Sequence, residues 1–170
     1  MILIAAAMLG PIYALFVEKV GGDLFDASLA SGVFAFVAGV TTLISGKFSD
    51  KLKENEIVIA AGYATMGIGF LAYFWVESVG ALFAVQAVIG LGEAIYSPAF
   101  DAVYSKHLNR ARAGLQWGAW EAMNYFTAAI GAVVGGILVS RFGFSVLFLA
   151  MAGLCFFGAG YIFHLKRNIL

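Results

Sequence analysis

Six apolar runs, each close to the length that crosses a bilayer, constrain this chain more than any other feature. They occupy residues 2–17, 27–45, 57–76, 80–100, 113–140 and 144–164. A helix of roughly 20 apolar residues spans a hydrocarbon core about 30 Å thick. Helices and closed barrels are the only structures that satisfy the backbone in lipid, and no run shows the period-2 alternation of a barrel strand. The sequence therefore predicts an all-α membrane protein, a single bundle of six transmembrane helices over residues 1–170. Composition points the same way: 62% of the residues are hydrophobic and 12% charged. So few charges cannot cover that much apolar surface in water. Disordered chains and basic nucleic-acid binders are excluded, so no nucleic-acid partner is expected and the solvent is the lipid bilayer.

Charged and turn residues separate the runs. Glu18-Lys19 ends the first, Lys47–Glu56 the second and Glu77-Ser78 the third. A basic stretch, Asp101–Arg112, follows the fourth and is expected as a loop; Arg141-Phe142-Gly143 is a tight turn before the sixth. The first run lacks a basic leader and carries Gly10-Pro11 at its centre, so it reads as a retained span rather than a cleaved signal. Lys47, Lys51, Lys53, Lys106, Arg110, Arg112, Lys166 and Arg167 all fall on one side, leaving Lys19 and Arg141 on the other. The positive-inside rule then predicts a plasma or inner membrane protein with both termini in the cytoplasm, consistent with an even number of spans.

Three segments resemble one known family. Gly46-Lys47-Phe48-Ser49-Asp50-Lys51 has a Gly, an Asp four residues on, then a base. It resembles the loop after the second helix in the major facilitator superfamily, although Lys53 and Glu54-Asn55 replace the Gly and basic pair that follow there. Gln86-Ala87-Val88-Ile89-Gly90-Leu91-Gly92 resembles the family's R-x-x-x-G-x-G segment, with Gln86 in place of Arg, and Ser97-Pro98-Ala99 follows it. Gly131-Ala132-Val133-Val134-Gly135-Gly136 resembles G-P-x-x-G-G, with Ala132 in place of Pro. The segments occur in family order across nearly the whole chain. The resemblance implies one half of a twelve-span fold, built as two inverted three-helix repeats, and fits the N-terminal half best, although the C-terminal half also remains open. It implies alternating-access transport of a small solute, coupled to protons in some members. The departures at Gln86 and Ala132 favour a facilitator, an unconventional coupling or a degenerate half.

Carboxylates inside spans are costly and mark functional candidates. Glu93 lies mid-way along the fourth run and Glu121 about two turns into the fifth. Gln86, Gly90, Glu93, Ser97 and Asp101 follow one another at three- and four-residue spacing and share a helix face. Trp117, Glu121, Asn124 and Ala128 form a similar stripe, with Tyr125 beside it. Both stripes are expected to line a wet cavity. Glu93 is read as the group that binds a cationic part of the substrate or a coupling proton, the alternative being a structural hydrogen bond. Glu121 with Asn124 has the same two readings, weighted toward structure. Trp117, Trp120, Tyr125 and Phe126 are available to stack on a cation, or to anchor the helix at an interface.

Asp50 and Lys51, with Gly46, are expected to form a gating loop. The resemblance implies that this aspartate meets a helix start across the interface between two halves. With one half in the chain, the predicted contact is Asp50 to Arg112 of a second copy. Small residues recur every four positions at Gly114, Gly118 and Ala122, at Gly131 and Gly135 (with Gly136 adjacent), and at Ser31, Ala35 and Gly39. They suit close helix packing or a smooth surface between two bundles. His107 and His164 lack partners at metal-ligand spacing, Cys155 is the single cysteine, and no nucleotide or hydrolase signature occurs, so no metal, cofactor or enzymatic activity is expected. The expected function is transport of a small solute, with a lean toward organic cations or lipophilic compounds as in efflux, acting as a dimer of halves or with a complementary half. The alternative is a truncated or split half with an assembly or regulatory role.

Overall fold

In the computed structural model, residues 1–49 and 54–165 are described. Among them lie six helices long and apolar enough to cross a membrane. They are α1 (Ile2–Lys19), α2 (Leu24–Ser49), α3 (Asn55–Ala72), α4 (Val79–Lys106), α5 (Ala113–Phe142) and α6 (Phe144–His164). The protein is a multi-pass membrane protein. Several helices outrun their apolar segments. α4 stays helical to Lys106, so half of the stretch expected as a basic loop is helix. Backbone hydrogen bonding does not stop at the edge of the hydrocarbon, and polar side chains there reach water.

Local chemistry sets the helix ends. At the start of α2, Asp23 Oδ1 accepts from the Asp26 N–H at 2.9 Å and Asp26 Oδ2 from the Asp23 N–H at 3.0 Å, a reciprocal cap. Ser78 caps α4 by accepting from the Ala81 N–H. Gly143, at φ +81°, is the only residue between α5 and α6, a conformation that L side chains rarely adopt. Prolines act within two spans. At Pro11 the backbone of α1 passes through a 3₁₀ turn, Gly10–Ile12. Pro98 leaves α4 continuous but removes the N–H that would bond to Ala94. The freed Ala94 carbonyl instead accepts from the Ser45 hydroxyl of α2 at 2.6 Å. This is how a proline is tolerated in lipid.

The main pairings are α1 with α5 and α6, α4 with α2 and α3, and α3 with α6. Exchanging α1 with α4, α2 with α5 and α3 with α6 turns this set into itself. Because each repeat holds an odd number of spans, the second must run in the opposite sense, as expected for two inverted three-helix units. Glycines set the closest approaches. A Cβ on Gly62 would lie 2.8 Å from the Gly92 carbonyl oxygen, and one on Gly90 would lie 2.6 Å from the Phe34 carbonyl oxygen. The core runs through α1, α3, α4 and α6, and at the end away from Met1 it closes on Phe16, Tyr73 and Phe148. α2 and α5 are largely uncovered, with Phe36, Leu43, Leu115, Tyr125, Phe126 and Val133 all exposed.

Candidate functional site

Glu93 lines two of the cavities along the bundle. The central cavity, about 260 Å³, lies between α1, α2, α3, α4 and α6. Tyr13, Phe34, Phe70, Tyr73, Gln86 and Glu93 line it. The second, about 370 Å³, opens toward Met1 between α1, α3, α4 and α5, and is lined by Glu93, Tyr96, Ser97, Asp101, Trp120 and Asn124, among others.

α4 carries the polar groups of both. Its three- and four-residue spacing places Gln86 and Glu93 in the central cavity, and Glu93, Ser97 and Asp101 in the second. Gly90, expected on the same stripe, instead packs against the α2 backbone. Gln86 is only 8% exposed. Tyr96, one turn beyond Glu93, donates its hydroxyl to Glu93 Oε1 at 3.1 Å. Its ring meets Tyr63 of α3 edge-on at 5.0 Å, which anchors the donor. Of the buried side-chain atoms with no hydrogen-bond partner among the described residues, two lie at these cavities: Tyr13 Oη and Asn124 Oδ1. Such groups are costly to leave dry, and each lines one cavity.

On α5 the expected stripe divides. Asn124 turns into the second cavity, whereas Glu121 and Tyr125 (73% exposed) lie on the uncovered face and Trp117 is partly exposed. Glu121 and Tyr125 therefore do not join Glu93 within this bundle. Asn124 faces inward because it shares a face with Gly131 and Gly135, where α5 meets α1. A Cβ on Gly131 would lie 3.0 Å from the Ile4 carbonyl oxygen, and one on Gly135 would collide with the Met8 carbonyl. Those two glycines are thus used for packing within the bundle, while Gly136, Gly114, Gly118 and Gly39 have open space beside them.

Of the gating residues, Gly46 lies near the end of α2 and Arg112 is exposed in the 3₁₀ turn Arg110–Arg112 before α5. Asp50 and Lys51 lie outside the described residues. Tyr104 tethers the base of α5 by donating to the Gln116 carbonyl at 2.8 Å. Sequence reasoning missed Tyr13, Tyr96 and the contribution of α3. Tyr96 carried a signal, its three-residue spacing from Glu93. Tyr13 carried only its place after the Gly10-Pro11 break.

The comparisons with known proteins fit this architecture. Multidrug resistance protein MdtG of Escherichia coli K12 / DH10B is 23% identical over 169 residues, covering 97% of this chain and 41% of the relative. The MdtG proteins of Escherichia coli O1:K1 / APEC and O139:H28 match to the same extent. The chain thus spans less than half the length of these relatives. The sequence profile of the Major Facilitator Superfamily matches residues 1–168. With that match over nearly its whole length, and with six membrane helices paired as two interlocked repeats, the chain belongs to the major facilitator superfamily.

Proposed function

We propose that the chain moves a small solute across the membrane by alternating access, together with a second six-helix half that covers α2 and α5. The observation that carries the reading is the position of Glu93, a carboxyl at the join of two cavities placed one beyond the other along the bundle. A group reachable from either cavity is what alternating access requires of a binding residue. The aromatic lining and the single acidic group of the central cavity favour a lipophilic or cationic solute. The name of the relatives, multidrug resistance proteins, supports export of such compounds. The eight bases on the side of the termini support a cytoplasmic location for both.

The uncovered face supports the need for a partner. Glu121 lies on it about 12 Å along α5 from Ala113, within the depth of the hydrocarbon core. A short carboxylate facing lipid there is unfavourable, and a second half removes it from lipid. The partner is a second copy or a complementary half. The test is flux in proteoliposomes over a panel of neutral, anionic and cationic solutes, with and without a proton gradient. Uptake of at least one lipophilic cation, reduced at least about tenfold in Glu93→Gln, is expected. No flux of any solute across the panel would overturn the reading.

A second reading is a half that assists assembly or regulation without transporting. Oligomeric state separates the two. A chain that stays monomeric in mild detergent and in bilayers, and that binds no complementary half, cannot enclose a pathway between two bundles.

A further inference from the structure

We infer that a pocket at the end of the bundle away from Met1 binds a zwitterionic phospholipid headgroup, one that carries a phosphate and a primary ammonium. The pocket, about 310 Å³, lies where α1 and α3 end and α6 begins. Its charged lining is one base and one acid, Lys19 and Glu77. They face a shared space, yet they form no ion pair with each other or with any other described residue. A bound zwitterion gives each its counter-charge at once. A simple anion or cation would satisfy one and be repelled by the other. The α6 side is the anionic half of the site. Lys19 Nζ stands over the Phe144 ring at 5.6 Å, which positions the base there. Ser145, in the first turn of α6, lines the same side, where a helix start favours an anion. The phosphate is therefore assigned to Lys19 and Ser145, and the ammonium to Glu77. That ammonium needs N–H groups, because a carboxylate only accepts and a quaternary amine has nothing to donate.

Depth in the bilayer favours a lipid as the source of this chemistry. The first span, Ile2–Lys19, is 18 residues long, about 27 Å at the rise of an α-helix. Lys19 at its end therefore stands near one edge of a hydrocarbon core about 30 Å thick. Phe74 lines the pocket and Trp75 beside it is 71% exposed, aromatic rings of the kind that sit at the level of the headgroups. Below the charges the floor is apolar, with Phe16 and Phe148 from the core. Such a floor suits a ligand that is apolar beyond its headgroup, and it gives a soluble zwitterion nothing to bury.

Lys19 and Glu77 are both exposed, so substituting them leaves the core intact. The full chain is purified in mild detergent, delipidated and titrated separately with dioleoyl phosphatidylethanolamine, phosphatidylcholine and phosphatidylglycerol. Bound lipid is counted by native mass spectrometry. The parent is expected to retain one phosphatidylethanolamine at a severalfold lower concentration than either other lipid. Lys19→Gln and Glu77→Gln should each weaken that retention about three- to fivefold. Glu77→Gln should also raise retention of phosphatidylglycerol, because the anionic headgroup loses a repelling carboxylate; Lys19→Gln should lower it. A purely structural role of the two side chains would not separate the lipids in this way. Equal retention of the three lipids by the parent, or unchanged phosphatidylethanolamine retention in either variant, overturns the site. Displacement of the lipid by water-soluble glycerophosphoethanolamine at matching concentration overturns the lipid as its occupant. This binding is independent of transport, so an absence of flux in proteoliposomes leaves it standing.

Discussion

At the scale of single residues, Glu93 is the group on which most of the chemistry converges. Its carboxyl is fixed by the Tyr96 hydroxyl and borders both cavities. Glu93→Gln preserves size and removes charge. A charged hydrogen-bond partner contributes roughly 1.5–3 kcal/mol, so cation flux should fall at least about tenfold, with neutral-solute flux little changed. Tyr96→Phe keeps the ring against Tyr63 and removes only the donor. A loss of about two- to fivefold in the same flux assay is expected, and an unchanged flux would show that the hydroxyl bond to Glu93 does not matter. Glu93 was legible in the sequence because a carboxylate inside an apolar run is conspicuous. The split between Asn124 and Glu121 was not. Periodicity says which residues share a face, but the direction of that face depends on which neighbour the helix meets. On α5 that neighbour is α1, and the contact is set by Gly131 and Gly135.

At the scale of helices, the same two glycines show how a spacing pattern divides into packing and open surface. Gly135→Ala would drive a methyl group into the Met8 carbonyl, whereas Gly118→Ala meets open space. Overpacking of this kind costs about 1–3 kcal/mol. Thermal unfolding in detergent should show a clearly lowered midpoint for Gly135→Ala and an unchanged one for Gly118→Ala. The bond from Ser45 to the Ala94 carbonyl belongs to the same scale. It compensates for Pro98 between helices that are 49 residues apart at the bonded atoms. The sequence showed the proline and the serine but not their meeting, because nothing local links the two positions. Helix existence and order were readable from hydropathy alone. Helix ends were less so, because polar turns such as Asp101–Lys106 remain helical beyond the hydrocarbon.

At the scale of the whole molecule, the bundle has a well-packed side and an open one. α1, α3, α4 and α6 share the core, and α2 and α5 present apolar and small residues outward. The sequence made the six spans and the charge asymmetry legible, since both are properties of composition along the chain. Which helices would be left uncovered depends on the pairing of repeats and was implied only by the family resemblance. If a second copy covers that face, Asp50→Cys in one chain and Arg112→Cys in its partner should cross-link in membranes under mild oxidation. No cross-link between the two chains would exclude the paired arrangement of copies.

The single-residue connection at Gly143 has a consequence for biogenesis. With no spacer between them, α5 and α6 cannot settle in the bilayer independently: the chain must reverse within one residue as the second span leaves the insertion machinery. The two spans therefore enter as one helical hairpin, and the exposed carboxylate of Glu121 is carried into lipid together with the more apolar α6.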